Sequence, residues 1–459
     1  MQITNSKRTM IVAILLSAAF VSILNQTLLM IAMPPIMADF QVDVSAAQWL
    51  TTIYLLTNGI LIPITAFLIG KFSNRMLLIA ALGLFSIGTS IGAIAPSFSV
   101  LLVARVIQAA GAGIIMPLMQ TILLTLYPKE KRGAIMGVAG LVTGFAPAIG
   151  PTLSGWLIAH FTWRYLFYTV LPVALLVLVC VFFFMRNVTP KRESQFDSLS
   201  IILSSFGWGG LLYGFSIAGS VGLMDWQVEI PIIIGAIALT LFIVRQLKLP
   251  KPILEFRVFQ TKEFTISTML SVFVYALMIG SQILLTFFMQ NVRSLTALET
   301  GLMLLPGAIL MGFMSPITGK IFDKIGGRLL AIVGYSLITI SLLVYVIITM
   351  NTPIWLLSIV FVAISLGIAM IMMPLTTAGM NALPGHLMAH GTAVNSTLRM
   401  VGGAIVSALL VASMSGTMTI LNAQSTEAML LGIRVAFILA TVISIVGLLL
   451  ALFLRKKSE

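Results

Sequence analysis

Charge is what this 459-residue sequence has least of. Only 8% of its residues are Asp, Glu, Lys or Arg, 13 of them acidic and 26 basic, whereas 59% are hydrophobic. A soluble protein needs charge on about a quarter of its residues to cover its surface. The mean hydropathy of +1.12 agrees with this shortage. The composition therefore excludes a soluble enzyme and a secreted scaffold, and it predicts a chain embedded mostly in a membrane.

Cysteine and histidine are scarce as well. The single cysteine, Cys180, lies inside an apolar run, so neither a disulfide nor a thiolate metal site is expected. None of the three histidines has a paired acid that would suggest a hydrolytic site. The sequence also lacks the Gly-x-x-x-x-Gly-Lys-Ser/Thr motif that cradles nucleotide phosphates. We therefore expect no enzyme, no metal and no cofactor, and any transport should be secondary, driven by a gradient rather than by ATP.

Long hydrophobic runs make up most of what is present. A helix must be about 20 residues long to cross the roughly 30 Å hydrocarbon core of a bilayer. Runs of suitable length cover residues 9–36, 47–69, 76–95, 99–126, 133–159, 164–185, 198–219, 229–246, 265–288, 299–318, 328–350, 353–378, 391–414 and 431–454. The sequence thus predicts an all-α polytopic membrane protein with about fourteen transmembrane helices.

The basic residues are distributed unevenly among the connections. Most fall on the side of the termini, as Lys7, Lys71 and Lys320 do, and only Arg293 lies squarely in a loop on the other side. Loops rich in Lys and Arg stay in the cytoplasm. We therefore expect a multi-pass protein of the bacterial cytoplasmic membrane with both termini cytoplasmic. The net charge of +13 then reflects topology and contact with anionic membrane lipids, and no nucleic-acid partner is expected.

Two long polar stretches divide the runs into groups of six, two and six. Residues 186–197 and 246–264 flank the middle pair. Such an arrangement is natural for two six-helix repeats separated by an inserted hairpin. We predict an N-terminal six-helix bundle over 1–186, an inserted transmembrane hairpin with flanking cytoplasmic loops over 187–264, and a C-terminal six-helix bundle over 265–459.

Four short motifs occur in these runs and the loops between them. A loop motif occurs once in each half, at 70–75 (GKFSNR) and 319–328 (GKIFDKIGGR). Two helical motifs lie in the fourth and fifth runs, at 105–113 (RVIQAAGAG) and 144–155 (GFAPAIGPTLSG). With these motifs the whole chain resembles the major facilitator superfamily, in particular its fourteen-spanner drug:proton antiporter branch and the lincomycin-resistance type of exporter. The resemblance implies the major facilitator fold.

In that family the loop motif takes part in a latch between the two halves. The resemblance assigns this role to Gly70, Arg75, Gly319, Asp323, Lys324 and Arg328. In the first half Asn74 stands where the family has an aspartate. We therefore expect Asp323 to accept hydrogen bonds from neighbouring helix N-termini. By the same reasoning Asn74→Ala is expected to have little effect.

Glycine and proline recur in the fifth run. Small residues let another helix come close, and proline bends a helix inside the bilayer. The resemblance identifies an antiporter hinge at Gly144, Pro147, Gly150, Pro151 and Gly155. Ordinary small-residue packing is the alternative interpretation, because both residue types are common in spanning helices.

Several strongly polar residues lie inside the runs. Arg105 and Arg399 are about two turns from a run end, where a charge facing lipid is costly. We expect such residues to face the protein interior, and the candidates for a substrate cavity are Asn25, Gln26, Asn58, Gln108, Gln120, Gln282, Asn395 and Arg399. Helix–helix hydrogen bonds are the alternative for the amides, and snorkelling to the headgroups is the alternative for the arginines.

No carboxylate lies deep inside a predicted run. The family often has an aspartate in its first helix, where this chain has Asn25, which cannot carry a proton. Arg105 is one proton-coupling candidate. The acids Asp225 and Glu229 are further candidates, because the short turn of the inserted hairpin could fold over the cavity and bury them, which would raise their pKa. The remaining alternatives are Asp39, Asp43, Glu299, His386 and His390.

Two functions follow from these observations. The resemblance favours secondary efflux of lipophilic drugs by alternating access in exchange for protons. The missing deep carboxylate and the two embedded arginines favour instead a translocator of lipids or envelope precursors without obligatory proton coupling. The expected partners are lipophilic small molecules, protons and membrane lipids, and a monomer is expected.

Overall fold

The computed structural model describes residues 5–29, 32–189, 197–222, 224–420 and 425–455. Within these ranges the α-helices are, in order, α1 (Asn5–Leu28), α2 (Met33–Phe40), α3 (Val44–Lys71), α4 (Asn74–Ala93), α5 (Phe98–Leu126), α6 (Arg132–His160), α7 (Tyr165–Phe184), α8 (Ser198–Val221), α9 (Trp226–Lys248), α10 (Lys262–Phe287), α11 (Ala297–Ile325), α12 (Gly327–Val346), α13 (Ile354–Ala382), α14 (Met388–Ile420) and α15 (Thr426–Ala451). All except α2 are long and apolar enough to span a membrane, which gives 14 spans in the described chain. The predicted all-α fold with fourteen spans is confirmed.

The first predicted run, 9–36, is wrong at its end. α1 stops at Leu28, and the separate eight-residue helix α2 begins at Met33. Pro34 and Pro35 fit the first turn of a helix, where their missing N–H groups need no partner. Hydropathy could not separate the two helices because all of these residues are apolar.

Polar side chains set where several spans begin. The Asp43 carboxylate accepts a hydrogen bond from the N–H of Ala46 (2.7 Å) at the start of α3. At the start of α11, Thr296 and Glu299 form a reciprocal capping box. Such caps satisfy the first N–H groups of a helix, which have no partner inside it.

An even number of spans places both ends of the chain on the same membrane face. We call this the terminal face and the other the opposite face. The six spanning helices before the hairpin, α1 and α3–α7, are called the N six, and the six after it, α10–α15, the C six. The hairpin consists of α8 and α9.

Among the described residues, the largest hydrophobic core shared by the N six and the C six lies toward the terminal face. One buried cluster there includes Leu123 and Met136 of the N six together with Met380 and Val394 of the C six. Near the opposite face the N six has its own cluster, and the C six has another that runs along its length. The two groups of helices are therefore packed together at one end and have separate cores at the other.

The hairpin covers a second seam between the two groups, where α3 meets α14. Trp208 and Leu212 of α8 form a buried cluster with Val401 of α14. Near the opposite face the ring of Trp49 stacks on Tyr213, with 5.6 Å between the centroids. Residues of α8 thus contact helices of both sixes.

Candidate functional site

A carboxylate of α11 binds the N-terminus of α6 at the terminal face. The two Asp323 oxygens accept hydrogen bonds from the backbone N–H groups of Gly133 and Ala134, each at 2.7 Å. These N–H groups have no partner within α6 and carry the positive end of its dipole. The expected bonds to a helix N-terminus are present, and they join the C six to the N six. We call this contact the Asp323 latch.

The backbones of α6 and α11 approach closely along the same seam. A Cβ atom added to Gly319 would lie 2.1 Å from the carbonyl oxygen of Gly133, and one added to Gly137 would lie 2.4 Å from that of Ser315. Both distances are too short for any side chain larger than hydrogen. The glycine of the loop motif is therefore required by the close approach of the two helices.

The predicted hinge residues of α6 contact different partners. Gly144 faces α11, whereas a Cβ on Gly150 would lie 2.1 Å from Thr27 Oγ1 of α1. A Cβ on Gly155 would meet nothing within 4 Å, so no close approach requires a glycine at this position of the motif. Pro147 lies half-buried within α6, and the side chain of Pro151 lies outside the described residues. Close packing accounts for Gly144 and Gly150 only.

A second polar contact crosses the seam beside the latch. Arg132 Nη1 donates to Asn381 Oδ1 at the end of α13 (2.8 Å), and its Nε donates to the carbonyl of Tyr127 (3.1 Å). The sequence analysis missed this contact because loop arginines were interpreted as topology signals. The signal in the sequence is that Arg132 directly precedes the predicted run 133–159.

The corresponding motif of the first half makes contacts inside the N six. Asn74 is completely buried, and its Oδ1 accepts hydrogen bonds from the N–H groups of Val188 and Thr189, each at 2.8 Å. Its Nδ2 donates to Thr189 Oγ1 (2.7 Å). The Arg75 guanidinium donates to the carbonyl of Phe182. These bonds indicate that Asn74→Ala would lower stability, because it would leave two partly buried N–H groups without their acceptor. The expectation that it has little effect on turnover and on the inward/outward distribution stays a prediction.

The other motif residues lie at the terminal face. Gly70 is next to the last residue of α3, Lys324 is exposed in the last turn of α11, and Arg328 is half-buried in the first turn of α12. These positions agree with a loop motif at the membrane boundary.

Arg105 is the centre of a buried polar cluster in the N six. Its Nη1 donates to Gln108 Oε1 (2.6 Å), its Nε donates to the carbonyl of Leu50 (3.3 Å), and its Cζ lies 4.0 Å from the centroid of the Tyr54 ring. Gln108 Nε2 continues to Asn25 Oδ1 (3.1 Å). Arg105 is 1% exposed, so it does not snorkel to the headgroups. Its charge is satisfied without a carboxylate, by oxygen acceptors and an aromatic ring.

A second group of buried polar side chains lies where α3, α5 and α14 pack together. Both amide atoms of Gln120 have no hydrogen-bond partner, and the same is true of Asn58 Oδ1, Asn395 Oδ1, and Nε and Nη1 of Arg399. Other unpartnered oxygens in these helices belong to Thr121, Ser396 and Thr397. Buried polar atoms in native proteins normally have partners. We call this group the polar layer.

The predicted cavity residues therefore separate into two groups rather than one. Asn25 and Gln108 belong to the Arg105 cluster, and Asn58, Gln120, Asn395 and Arg399 belong to the polar layer. Gln26 on α1 and Gln282 on α10 are half-buried. Sequence position alone could not distinguish the groups, because each residue was known only to lie within a span.

Asp39 forms an ion pair at the opposite face. Its Oδ2 accepts hydrogen bonds from Arg164 Nη1 (2.8 Å) and from the Trp163 indole (3.0 Å). The hydrogen bond from Arg164, and then that from Trp163, lower the pKa of Asp39 below its usual value. A carboxyl group with a lowered pKa stays ionised at neutral pH, which makes Asp39 a poor proton carrier.

The turn of the hairpin is exposed. Asp225 Oδ1 accepts a hydrogen bond from the N–H of Gln227 (2.8 Å) and caps α9. Glu229 is exposed in the first turn of α9, and the neighbouring Trp226 is 67% exposed. The burial on which the proton-carrier hypothesis for these acids depends is not found at this turn.

The hairpin is fixed at the terminal face to the segment that leads into the C six. Gln246 is fully buried, and its Oε1 accepts hydrogen bonds from the N–H groups of Ile253 (2.8 Å) and Leu254 (3.2 Å). The next N–H, that of Glu255, donates to His390 Nδ1 on α14 (3.2 Å). These bonds give His390 a structural position at the start of α14.

Asp197 and Arg245 tie the two hairpin helices to each other at the same face. Arg245 donates through Nε and Nη2 to the Asp197 carboxylate at 2.8 and 3.0 Å. The hydrogen bond from Arg245 is the main reason that the pKa of Asp197 falls to about 2. The hairpin therefore has a charged clamp at its terminal end.

Comparison with known proteins gives the family of this architecture. The sequence profile described as "Major Facilitator Superfamily" matches residues 15–407. The "Uncharacterized MFS-type transporter YcnB" of Bacillus subtilis is 56% identical over 450 residues, which are 98% of this chain and 95% of that protein. The "Lincomycin resistance protein LmrB" of Bacillus subtilis is 39% identical over 453 residues, 96% of this chain and 95% of that protein.

A solved structure agrees in fold. The crystal structure of the human organic anion transporter MFSD10 (TETRAN) superposes with a TM-score of 0.69 over 98% of this chain and 100% of that chain, at 13% sequence identity. A likeness at that identity shows the fold alone. The resemblance inferred from the four motifs is confirmed, and the chain belongs to the Major Facilitator Superfamily of multi-pass membrane transporters, among relatives that include lincomycin-resistance and multidrug proteins.

Proposed function

We propose that this protein is a secondary active exporter, which moves lipophilic drugs or other toxic small molecules out of a bacterial cell in exchange for protons. The N-terminal six-helix bundle (1–186) and the C-terminal six-helix bundle (265–459) rock against each other, and the inserted hairpin (187–264) covers one seam between them. The protein lies in the bacterial plasma membrane, and its terminal face is on the cytoplasmic side. It works as a monomer without a cofactor.

The unequal contact between the two sixes is the observation that carries this proposal. Both the shared hydrophobic core and the Asp323 latch lie at the terminal face, whereas the cores are separate at the opposite face. If the terminal face is cytoplasmic, this packing is what an outward-facing transporter requires. Breaking the latch and closing the other end would give the second state of alternating access.

The side chains at the seam support a lipophilic substrate. The methionines Met311, Met372 and Met373 lie together at the seam between α6, α11 and α13. Methionine is flexible and polarisable, which suits surfaces that pack against several different ligands. The relatives named for lincomycin and multidrug resistance support the same class of substrate.

Proton coupling is tested by substrate-induced proton release from the purified protein. Arg105, Asp225 and Glu229 stay the candidates for coupling, with Asp39 the least suited of the four because its pKa is lowered. Loss of release in Asp225→Asn or Glu229→Gln, with substrate binding retained, would support the hairpin acids. Unchanged release in the double variant would exclude them.

A translocator of lipids or envelope precursors without obligatory proton coupling is the second candidate. Arg399 favours it, since a buried guanidinium with two unpartnered nitrogens attracts an anionic group. Transport in liposomes, with and without an imposed pH gradient, separates the two functions. Export that follows the gradient supports the proposed antiporter, whereas gradient-independent movement of labelled lipid supports the alternative.

A further inference from the structure

We propose that Arg399, together with Ser396 and the Tyr275 ring, forms a binding site for the anionic group, a carboxylate or a phosphate, of an amphiphilic substrate. The site deepens the proposed export function by naming a chemical class for what is carried. Arg399 lies on α14 about 16 Å from the helix start at the terminal face, close to the middle of a 30 Å hydrocarbon core. Transporters of this architecture bind substrate near that depth.

Arg399 has no ion-pair partner among the residues that the structure describes. The residue is 7% exposed, and its Nε and Nη1 have no hydrogen-bond partner there. The Tyr275 ring of α10 lies 5.6 Å from Cζ. A buried guanidinium with two nitrogens that lack acceptors is costly, so the arrangement favours an acceptor that comes from outside the chain.

Arg105 shows that this fold can satisfy a buried arginine when no ligand is needed. It is buried at least as deeply as Arg399, yet it has hydrogen bonds to Gln108 and Leu50 and stacks on Tyr54. The two arginines therefore differ in partners rather than in burial. From that difference we infer a structural or coupling role for Arg105 and a ligand-binding role for Arg399.

The neighbours of Arg399 suit an anion with an apolar tail. Asn395 and Ser396 lie four and three residues earlier on α14, on the same face of the helix. Asn395 Nδ2 donates to Thr376 Oγ1 of α13 (3.5 Å), whereas Ser396 Oγ has no hydrogen-bond partner. A guanidinium fork matches carboxylate and phosphate geometry, and the Ser396 hydroxyl can donate to a remaining oxygen. The Tyr275 ring, which a Cβ on Gly403 would approach to 3.0 Å, provides an apolar wall.

The test compares three probes of equal chain length: dodecanoate, dodecanol and dodecylamine. Binding to the purified full-length protein is measured in nanodiscs of phosphatidylcholine at pH 8. We expect dodecanoate to bind at least about tenfold more tightly than dodecanol, since hydrogen bonds to a charged partner are worth more than neutral ones. Arg399→Gln should remove this preference and leave dodecanol binding unchanged, and Arg399→Lys should keep part of it.

Lys262→Gln is the matched control, because Lys262 is an exposed cation at the start of α10 and its loss changes the net charge by the same amount. Equal affinity of the native protein for dodecanoate and dodecanol would overturn the proposal even if Arg399→Gln failed to fold. An equal loss of preference in Lys262→Gln would also overturn it, since a surface potential would then explain the result.

A further arm separates a soluble amphiphile from a membrane lipid as the source of the anionic group. Nanodiscs that contain phosphatidylglycerol should weaken dodecanoate binding if the lipid phosphate occupies the site, and Arg399→Gln should abolish that competition. No competition, with the dodecanoate preference intact, assigns the site to soluble amphiphiles. If the pH gradient drives export of an uncharged compound and no anion preference is found, only the anion site is contradicted. If an anion preference is found without gradient-driven transport, only the proposed antiport is contradicted.

Discussion

The two copies of the loop motif occupy corresponding places in the chain and make different contacts. Asp323 reaches across the seam and binds the N-terminus of α6. Asn74, at the corresponding position of the first half, binds the backbone after α7 and stays within the N six. A carboxylate has two acceptor oxygens and a charge that a helix N-terminus favours, whereas an amide has one acceptor and one donor group. One copy is therefore a contact between the two sixes, and the other is a contact within the N six.

A side chain that blocks the seam between α6 and α11 should have the largest effect on transport. Gly319→Val would place a side chain 2.1 Å from the Gly133 carbonyl oxygen, so the terminal face cannot close. We expect transport to be lost while the protein still inserts and remains monodisperse. Closure is measured by cross-linking Ala134→Cys with Lys320→Cys in a Cys180→Ser background, and the cross-link should disappear.

Gly155→Ala is the control for that substitution. It adds a methyl group on α6 where nothing lies within 4 Å, so it should not reduce transport. Normal transport and cross-linking in Gly319→Val would show that the α6–α11 seam does not need to close.

Asp323→Asn should have the next largest effect. The substitution removes the charge and replaces one acceptor oxygen by a donor that faces an N–H group. We expect it to destabilise the closed terminal face by about 1.5 kcal/mol, roughly tenfold in the ratio of the two states. The same cysteine cross-link measures this ratio. An unchanged ratio would mean that the apolar core, rather than the latch, determines which face is closed.

Asn74→Ala should affect stability more than transport. The partly buried N–H groups of Val188 and Thr189 would lose their acceptor, at a cost of about 1 kcal/mol or more. We expect a lower temperature of thermal unfolding and an unchanged cross-linking ratio. A shift of that ratio comparable with the one in Asp323→Asn would contradict the distinction between the two motif copies.

The smallest effect is expected at the opposite face. There the N six has the Asp39–Arg164 ion pair, whereas Arg293 of the C six donates to the carbonyl of Thr352 (2.8 Å). Because its folded pKa is lowered, Asp39 contributes stability above its unfolded pKa of about 3.8 and loses that contribution as the pH falls through the lower folded value. The pair is largely exposed, so Asp39→Asn should cost less than about 1 kcal/mol.

The measurement for Asp39→Asn is thermal unfolding at pH 7 and pH 3, together with transport between pH 6 and 8. The difference from the native protein should be present at pH 7 and smaller at pH 3. The pH profile of transport should not change, because Asp39 is ionised throughout that range. A shifted profile would restore Asp39 as a proton carrier.

Hydropathy was sufficient to predict the fourteen spans, because burial in lipid demands about 20 apolar residues in sequence. The same rules could not detect α2, whose apolar residues continue the preceding run. They could not give the partner of Asn74 either, since it lies 114 residues away in the chain. The Arg105 cluster and the polar layer looked alike in sequence, because hydrogen-bond partners depend on how helices are rotated against each other.

The Asp323 latch also has a consequence for how the protein is made. Gly133 precedes Asp323 by 190 residues. At about 5–20 residues per second, the ribosome adds Gly133 ~10–40 s before it adds the carboxylate that binds it. During that interval the nascent first half must rest in the bilayer on its own core around Phe85 and Phe167. A product truncated before α11 would be a membrane-inserted half whose end at the terminal face lacks the carboxylate that binds α6.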